Sequence, residues 1–175
     1  QVPIILDRVG IQPGERVLIV TNPVSDTSRI SQALYDATLE AGGRPTLLYQ
    51  PVRSQLQFAD EAVYAALASR PPVFISVSRL KLGQDVKGIA APYVAGGASY
   101  DSLFHALLYG EKAVRAFWSP EVDRCIFAAA VPIDYARLAA DCARVKPLLD
   151  RAVRARITAP GGTELELGLA GRLAS

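Results

Sequence analysis

The sequence predicts an α/β domain with an open, mostly parallel sheet and flanking helices. Short, β-branched apolar runs recur along the chain, and segments with helical apolar spacing separate them. Glycine and proline stand at the junctions between these segments. Strands that alternate with helices in this way are typical of parallel α/β layers. The chain has 175 residues, of which 50% are hydrophobic and 21% are charged, as in an ordinary globular protein.

The amino-terminal part predicts a strand–helix–strand unit. Arg16–Thr21 is a continuous apolar run, typical of a strand that is buried on both faces. A helix is expected next, capped by Asp26, Thr27 or Ser28 and ended by the glycine pair 42–43. Thr46–Tyr49 then forms the second strand.

The same alternation continues through the middle of the chain. The predicted elements are a helix over Gln55–Ser69, a buried strand over Val73–Val77, a helix over Tyr100–Tyr109 and a strand over Val114–Trp118. Residues 79–97 are rich in glycine and proline and predict a long loop.

The carboxy-terminal part predicts a long helix followed by a hairpin. Cys125–Val131 fits either a strand or a helix, although its alanines disfavour a strand. Asp134 is the expected cap of the long helix, and Pro147 should kink or break it. Two alternating segments, Arg154–Thr158 and Glu164–Gly168, predict the hairpin. We expect residues 1–153 to form an amino-terminal domain and 154–175 to begin a second domain.

Charge and composition exclude several classes of protein. The formal net charge is +2 and the arginines are scattered, which disfavours nucleic-acid binding. The longest apolar stretch, Cys125–Val131, is far shorter than the roughly 20 residues that span a bilayer. The two cysteines, Cys125 and Cys142, are 17 positions apart and fit neither a disulfide framework nor a zinc site, so we predict a reducing, cytoplasmic location with no membrane partner. Both cysteines are expected to be small core residues.

Four residues are candidates to line a substrate cleft. Asn22, Ser25 and Asp26 follow the first strand, and open α/β sheets bind ligands beyond the carboxyl ends of their strands. A turn and a helix cap are the simpler explanation of these three residues. His105 is the single histidine and ends the segment that starts at the glycine pair 96–97; it is either a substrate contact or a hydrogen-bonded structural residue. No residue of this chain is predicted to be catalytic or to bind a cofactor or metal.

The chain also resembles a known family. The segments that carry the resemblance are Gly10–Val20, Gln32–Gly43, Val131–Tyr135, Arg156–Leu165 and Gly171-Arg172. Together they resemble the amino-terminal domain of the thermophilic-type metalloaminopeptidases (peptidase family M29, aminopeptidase T). They also resemble the related 2,5-dihydroxypyridine dioxygenases. The family usually has aspartate where this chain has Glu164.

The resemblance implies that the metal chemistry lies outside this chain. In that family the glutamate, histidine and aspartate ligands belong to a carboxy-terminal domain, which would hold a divalent metal such as zinc, cobalt or iron. The hairpin would lead into that domain, and oligomerisation of identical chains would occur through it. The amino-terminal domain would flank the cleft and help to enclose a small peptide or a small aromatic substrate.

Three functions therefore stay open at the level of sequence. The first is the substrate-flanking domain of a metal-dependent aminopeptidase, in which metals activate water and polarise the peptide carbonyl. The second is the same domain in an iron-dependent, ring-cleaving dioxygenase of the 2,5-dihydroxypyridine type. The third is a stand-alone, non-catalytic binding or assembly module. In the first two, we expect this chain alone to be inactive.

Overall fold

A computed structural model describes residues 2–174 of the chain. These residues form two compact units, with the boundary between Pro132 and Ile133. Within the chain this boundary falls before the long helix, whereas the division expected from the sequence falls after it. The assignment of 154–175 to a second domain of a longer protein stays a prediction.

The first unit alternates strands and helices. Its helices are α1 (Val2–Val9), α2 (Ser25–Glu40), α3 (Glu61–Ala68), α4 (Val86–Ala90), α5 (Leu103–His105) and α6 (Arg124–Ala130). Its strands are β1 (Arg16–Thr21), β2 (Arg44–Tyr49), β3 (Val73–Ser78), β4 (Tyr93–Ala95), β5 (Ala98–Tyr100) and β6 (Arg115–Pro120). Helix α5 continues directly into a π-helical turn over Ala106–Gly110.

Four strands form a parallel sheet in the order β2-β1-β3-β6, which confirms the predicted fold class. Ile19 at the centre of β1 pairs with Leu47 on one side and Ile75 on the other. The chain passes from β1 to β2 in one direction and then crosses back to β3. The sheet therefore reverses its order between β1 and β3, and such a reversal opens a crevice at the carboxyl ends of the two strands.

Apolar side chains cover both faces of this sheet. One face packs against α1, α2 and α6, with Leu34 and Phe127 among its buried residues. The other face packs against α3 and the α5 segment, with Leu67, Phe74 and Phe104 at its centre. Strand β3 is buried at every position, as predicted for a central parallel strand.

Several predicted elements differ from the structure. Helix α3 starts at Glu61 because Asp60 accepts a hydrogen bond from the Ala62 N–H at 3.0 Å. The predicted loop 79–97 contains α4 and β4, and it runs into a small hairpin with β5. The predicted helix 100–109 starts at Leu103, and Cys125–Val131 proves to be helical. Helix α1 was not expected from the sequence.

The expectation that the two cysteines lie in the core is wrong, since both Cys125 and Cys142 are exposed. Helix α6 buries only Phe127, and Cys125 lies on its outer side. Apolar spacing identifies which residues share a helix face, but it does not show whether anything covers that face.

The second unit consists of α7 (Tyr135–Arg151) and a hairpin of β7 (Arg154–Thr158) and β8 (Glu164–Gly168). The predicted cap is confirmed, because Asp134 accepts a hydrogen bond from the Arg137 N–H at 2.9 Å. Helix α7 continues through Pro147, so the predicted break is absent, although proline supplies no N–H to the preceding turn. None of the described residues of α7 is buried.

Candidate functional site

The carboxyl ends of the four parallel strands lead into the loops that can form a site. Three loops meet there, after β1 (22–24), after β2 (50–60) and after β3 (79–85). Backbone hydrogen bonds join the last two, since the Lys81 N–H donates to the Arg53 carbonyl at 2.9 Å and the Ala59 N–H donates to Gln84 at 3.0 Å. These loops are therefore held by one another as well as by the sheet.

Asn22 fills the crevice between β1 and β3. It is fully buried, and its Nδ2 donates to the carbonyls of Gln50 and Pro51 at 3.1 and 3.2 Å. Its Oδ1 accepts from the Arg79 N–H at 2.8 Å. All the hydrogen bonds that an amide side chain forms most readily are thus used to join three loops. Because the side chain is also fully buried, it offers no accessible polar group to a ligand.

Ser25 and Asp26 lie in the first turn of α2, and both side chains are at least partly accessible to solvent. Ser25 is exposed, and Asp26 forms an ion pair with Arg124 in which Oδ1 and Nε are 3.6 Å apart. The helix cap is Val24, without a side-chain cap hydrogen bond, so the predicted caps at 26–28 are wrong. Thr27 is buried instead, and its hydroxyl donates to the carbonyls of Asn22 and Val24.

His105 lies in a cluster of aromatic rings at the ends of α5 and β6. Its ring centroid is 5.4 Å from that of Phe104, 5.7 Å from Tyr109 and 6.4 Å from Trp118. Phe104 is buried and also contacts Phe74, with centroids 5.0 Å apart, which anchors the cluster to the core. Trp118 is 43% exposed although it lies on β6 of the sheet.

Phe104, His105 and Trp118 form one wall of a cavity of about 350 Å³ beyond the carboxyl ends of β3 and β6. The cavity is lined by Phe104, His105, Trp118, Tyr64, Ser102, the loop 81–85, Gln55, Ile89 and Asp101. Its volume suits a single small ring compound. Of the four residues predicted to line a cleft, only His105 lies here.

Two hydroxyl groups lie together in the cavity wall. The Tyr64 hydroxyl donates to the Gly83 carbonyl at 3.2 Å, and it is 3.3 Å from Ser102 Oγ. Burial is the main cause that raises the pKa of Tyr64 to about 12, so the phenol is neutral at physiological pH. Gly83 has φ +96°, and a Cβ there would lie 2.7 Å from the Ala59 nitrogen, so the close loop packing requires glycine.

Asp85 holds the cavity wall in place. The side chain is buried, and its Oδ1 caps α4 by accepting from the N–H groups of Lys87 and Gly88 at 3.0 and 3.2 Å. Its Oδ2 accepts from the Leu103 N–H at 3.0 Å, which joins α4 to the start of α5. Burial and the adjacent Asp85 raise the pKa of Tyr93. The carboxylate therefore fixes where the His105 segment begins.

The π-helical turn after His105 widens the backbone at the aromatic cluster. Such turns are rare and occur frequently at functional sites. Sequence reasoning missed Trp118 and Tyr64, because a tryptophan in an apolar strand and a tyrosine in a helix look like core residues. The feature of the sequence that could have identified Trp118 is its position at the carboxyl end of the predicted strand Val114–Trp118.

Among residues 2–174 no group of three or more histidine, cysteine, aspartate or glutamate side chains is placed to hold a metal ion. The donor groups of this part of the chain therefore do not fit a metal ion. In the same residues, no helix is both long and apolar enough to cross a membrane.

Comparison with known proteins gives a likeness of fold. No family model matches the chain, and no curated protein does. A solved structure of 2,5-dihydroxypyridine dioxygenase from Pseudomonas putida KT2440 is similar, with a TM-score of 0.58 and 11% sequence identity. The match covers 95% of this chain and 46% of that chain, so this chain spans about half the length of its structural neighbour. At this identity the likeness concerns the fold alone.

Proposed function

We propose that this chain is the substrate-flanking domain of a metal-dependent enzyme that cleaves a small aromatic ring, of the 2,5-dihydroxypyridine dioxygenase type. The observation that carries the proposal is the cavity beside Trp118 and His105. The name of the structural neighbour supports the same choice among the functions left open by the sequence. The metal, an Fe(II) ion, would be held by residues outside this chain.

The cavity wall offers contacts that suit a hydroxylated ring. Trp118 and His105 contribute aromatic rings to the lining, and offset or edge-to-face contact between aromatic rings stabilises a complex by about 0.5–1.5 kcal/mol beyond area burial. The hydroxyl oxygens of Ser102 and Tyr64 can accept hydrogen bonds from ring hydroxyl groups, because their protons are used in the bond between them and in the bond to Gly83. Phe104, which is buried, adds apolar surface to the lining.

No finding favours the aminopeptidase that the family resemblance implies. The M29 aminopeptidase therefore stays a prediction without support from the comparisons. The expectations of a divalent metal in a further domain, of oligomerisation through that domain and of a cytoplasmic location also stay predictions.

The test is an activity comparison on the protein that carries this chain, in its full encoded length and loaded with Fe(II). We expect oxygen uptake that depends on 2,5-dihydroxypyridine and matches the loss of the ring's ultraviolet absorbance. Release of leucine from leucinamide, in the protein loaded with Zn²⁺ or Co²⁺, is the competing outcome. Peptide hydrolysis without oxygen uptake would overturn the proposal in favour of the aminopeptidase, and the absence of both activities would favour a binding module.

A further inference from the structure

We infer that Asp101 makes the cavity selective for uncharged hydroxylated rings and against aromatic carboxylates. The inference rests on the proposed function, because it concerns the same cavity. It adds the charge of the substrate class to the size and the aromatic contacts that the cavity wall provides.

Asp101 contributes an unbalanced negative charge to the lining of the cavity. The residue is exposed, and it lies two positions before α5 in the segment that borders the cavity. Within residues 2–174 its carboxylate forms no ion pair. A ligand in the cavity therefore meets an ionised group whose charge no side chain of this part of the chain neutralises.

The other charged residues around the cavity do not offset this charge. Lys81 Nζ is 3.0 Å from Glu121 Oε1, so the lysine already has a partner. Asp85 adds a second carboxylate to the lining, and the three N–H groups from which it accepts hydrogen bonds stabilise its charge without cancelling it. Arg53 is bridged to Lys81 through the backbone but does not line the cavity.

Tyr64, in the wall of the same cavity, shows how these carboxylates act on a third anion. Burial is the main cause that raises the pKa of Tyr64 to about 12, and the negative charges of Asp85 and Asp101 contribute to the increase. A phenolate at this position is thus disfavoured in part by repulsion from both residues. The carboxylate of an aromatic acid in the cavity would be repelled in the same way, whereas an uncharged ring would not.

An aromatic acid and an aromatic alcohol of matched size separate charge from shape. The test is calorimetric titration of the full-length protein that carries this chain, loaded with Fe(II) and kept under argon so that no ring is cleaved. The three ligands are 2,5-dihydroxybenzoate, 2,5-dihydroxybenzyl alcohol and hydroquinone. We expect the alcohol to bind about fivefold more tightly than the acid, which is the effect of one charge about 4 Å away in water. Added salt should reduce this preference, because it screens exposed charges.

Asp101→Asn removes the charge and keeps the size of the side chain. This variant should bind the acid about fivefold more tightly than the wild type does, and its affinities for the alcohol and hydroquinone should stay within about twofold. Asp36→Asn is the matched charge control. Asp36 is exposed on α2, which packs against the opposite face of the sheet from α5, so this substitution should leave all three affinities within about twofold.

The outcomes separate the inference from the proposed function. If the wild-type protein binds the acid as tightly as the alcohol, or if Asp101→Asn does not strengthen binding of the acid, the inference is wrong and the aromatic cavity stands. If hydroquinone binds and the alcohol does not, size rather than charge excludes the larger rings, and the inference is again wrong. If none of the three compounds binds to the wild-type protein, the proposed function fails together with the inference.

Discussion

Two neighbouring regions at the carboxyl end of the sheet differ in accessibility, since a buried side chain fills one and the other is an open cavity. Between β1 and β3, Asn22 is buried and all its preferred hydrogen bonds are made within the chain. Beyond β3 and β6, Trp118 and His105 border open space. Polar residues in the place where α/β folds bind ligands do not make a site when the fold itself uses them. Accessible aromatic rings beside a cavity are better indicators of a site.

The largest expected effect is on stability, at the Asn22 crevice. Asn22→Ala removes three hydrogen bonds, one to the buried Gln50 carbonyl and two, to the Pro51 carbonyl and the Arg79 N–H, that are partly buried. We expect the free energy of unfolding to fall by about 3–5 kcal/mol, measured by urea denaturation, because each group left unsatisfied costs about 1–3 kcal/mol. Ser25→Ala, at an exposed position nearby, is the control and should stay within about 0.5 kcal/mol. A loss below 1 kcal/mol for Asn22→Ala would show that the Asn22 hydrogen bonds do not hold the three loops together.

The second largest effect is expected at Tyr64, in the cavity wall, because ionisation of its phenol at alkaline pH should lower the stability of the protein. The folded-state pKa of Tyr64 is raised from 10.0 to about 12, so the unfolded chain releases the proton first. The contribution of the buried, neutral phenol to the free energy of unfolding is fully present below pH 10 and is lost as the pH rises toward 12. A shift of this size corresponds to about 2–3 kcal/mol.

The measurement is urea denaturation of wild type and Tyr64→Phe at several pH values between 8 and 12. The variant should be less stable at pH 8, because it cannot donate to the Gly83 carbonyl. The difference between the two proteins should shrink as the pH rises. Parallel pH profiles would contradict a buried phenol in the wall.

The smallest effect is expected at Asp26, which lies near Asn22 in sequence but on the surface. Its pair with Arg124 is exposed, with 62% of the arginine side chain and 39% of the aspartate side chain accessible. Exposed ion pairs contribute about 0–1 kcal/mol. Asp26→Asn should therefore change the free energy of unfolding by less than about 1 kcal/mol, and a larger loss would assign Asp26 a structural role like that of Asn22.

The sequence was sufficient for the four strands of the parallel sheet, because β-branched apolar runs such as Arg16–Thr21 are typical of strands that are buried on both faces. The sequence was insufficient to predict which residues are buried. The apolar spacing in α7 correctly indicates a helix, yet none of the described residues of that helix is buried. Spacing reports which side chains share a face, while burial depends on what packs against the face.

The candidate site was predictable only in part. His105 could be selected because it is the single histidine. The contact between His105 and Trp118 joins a loop-derived helix to the edge strand, and no local pattern encodes it. The role of Asn22 depends on carbonyls contributed by Gln50 and Pro51, which only the folded loops bring within reach.

The most direct test of the contrast between crevice and cavity is the affinity for 2,5-dihydroxypyridine of two matched variants. Trp118 is 43% exposed in the cavity wall, and Tyr49 is 45% exposed at the end of β2, outside the cavity. We expect Trp118→Leu to weaken binding about tenfold in calorimetric titration, and Tyr49→Leu to leave it within twofold. Equal affinities in the two variants, or a larger loss for Tyr49→Leu, would contradict the assignment of the cavity as the site.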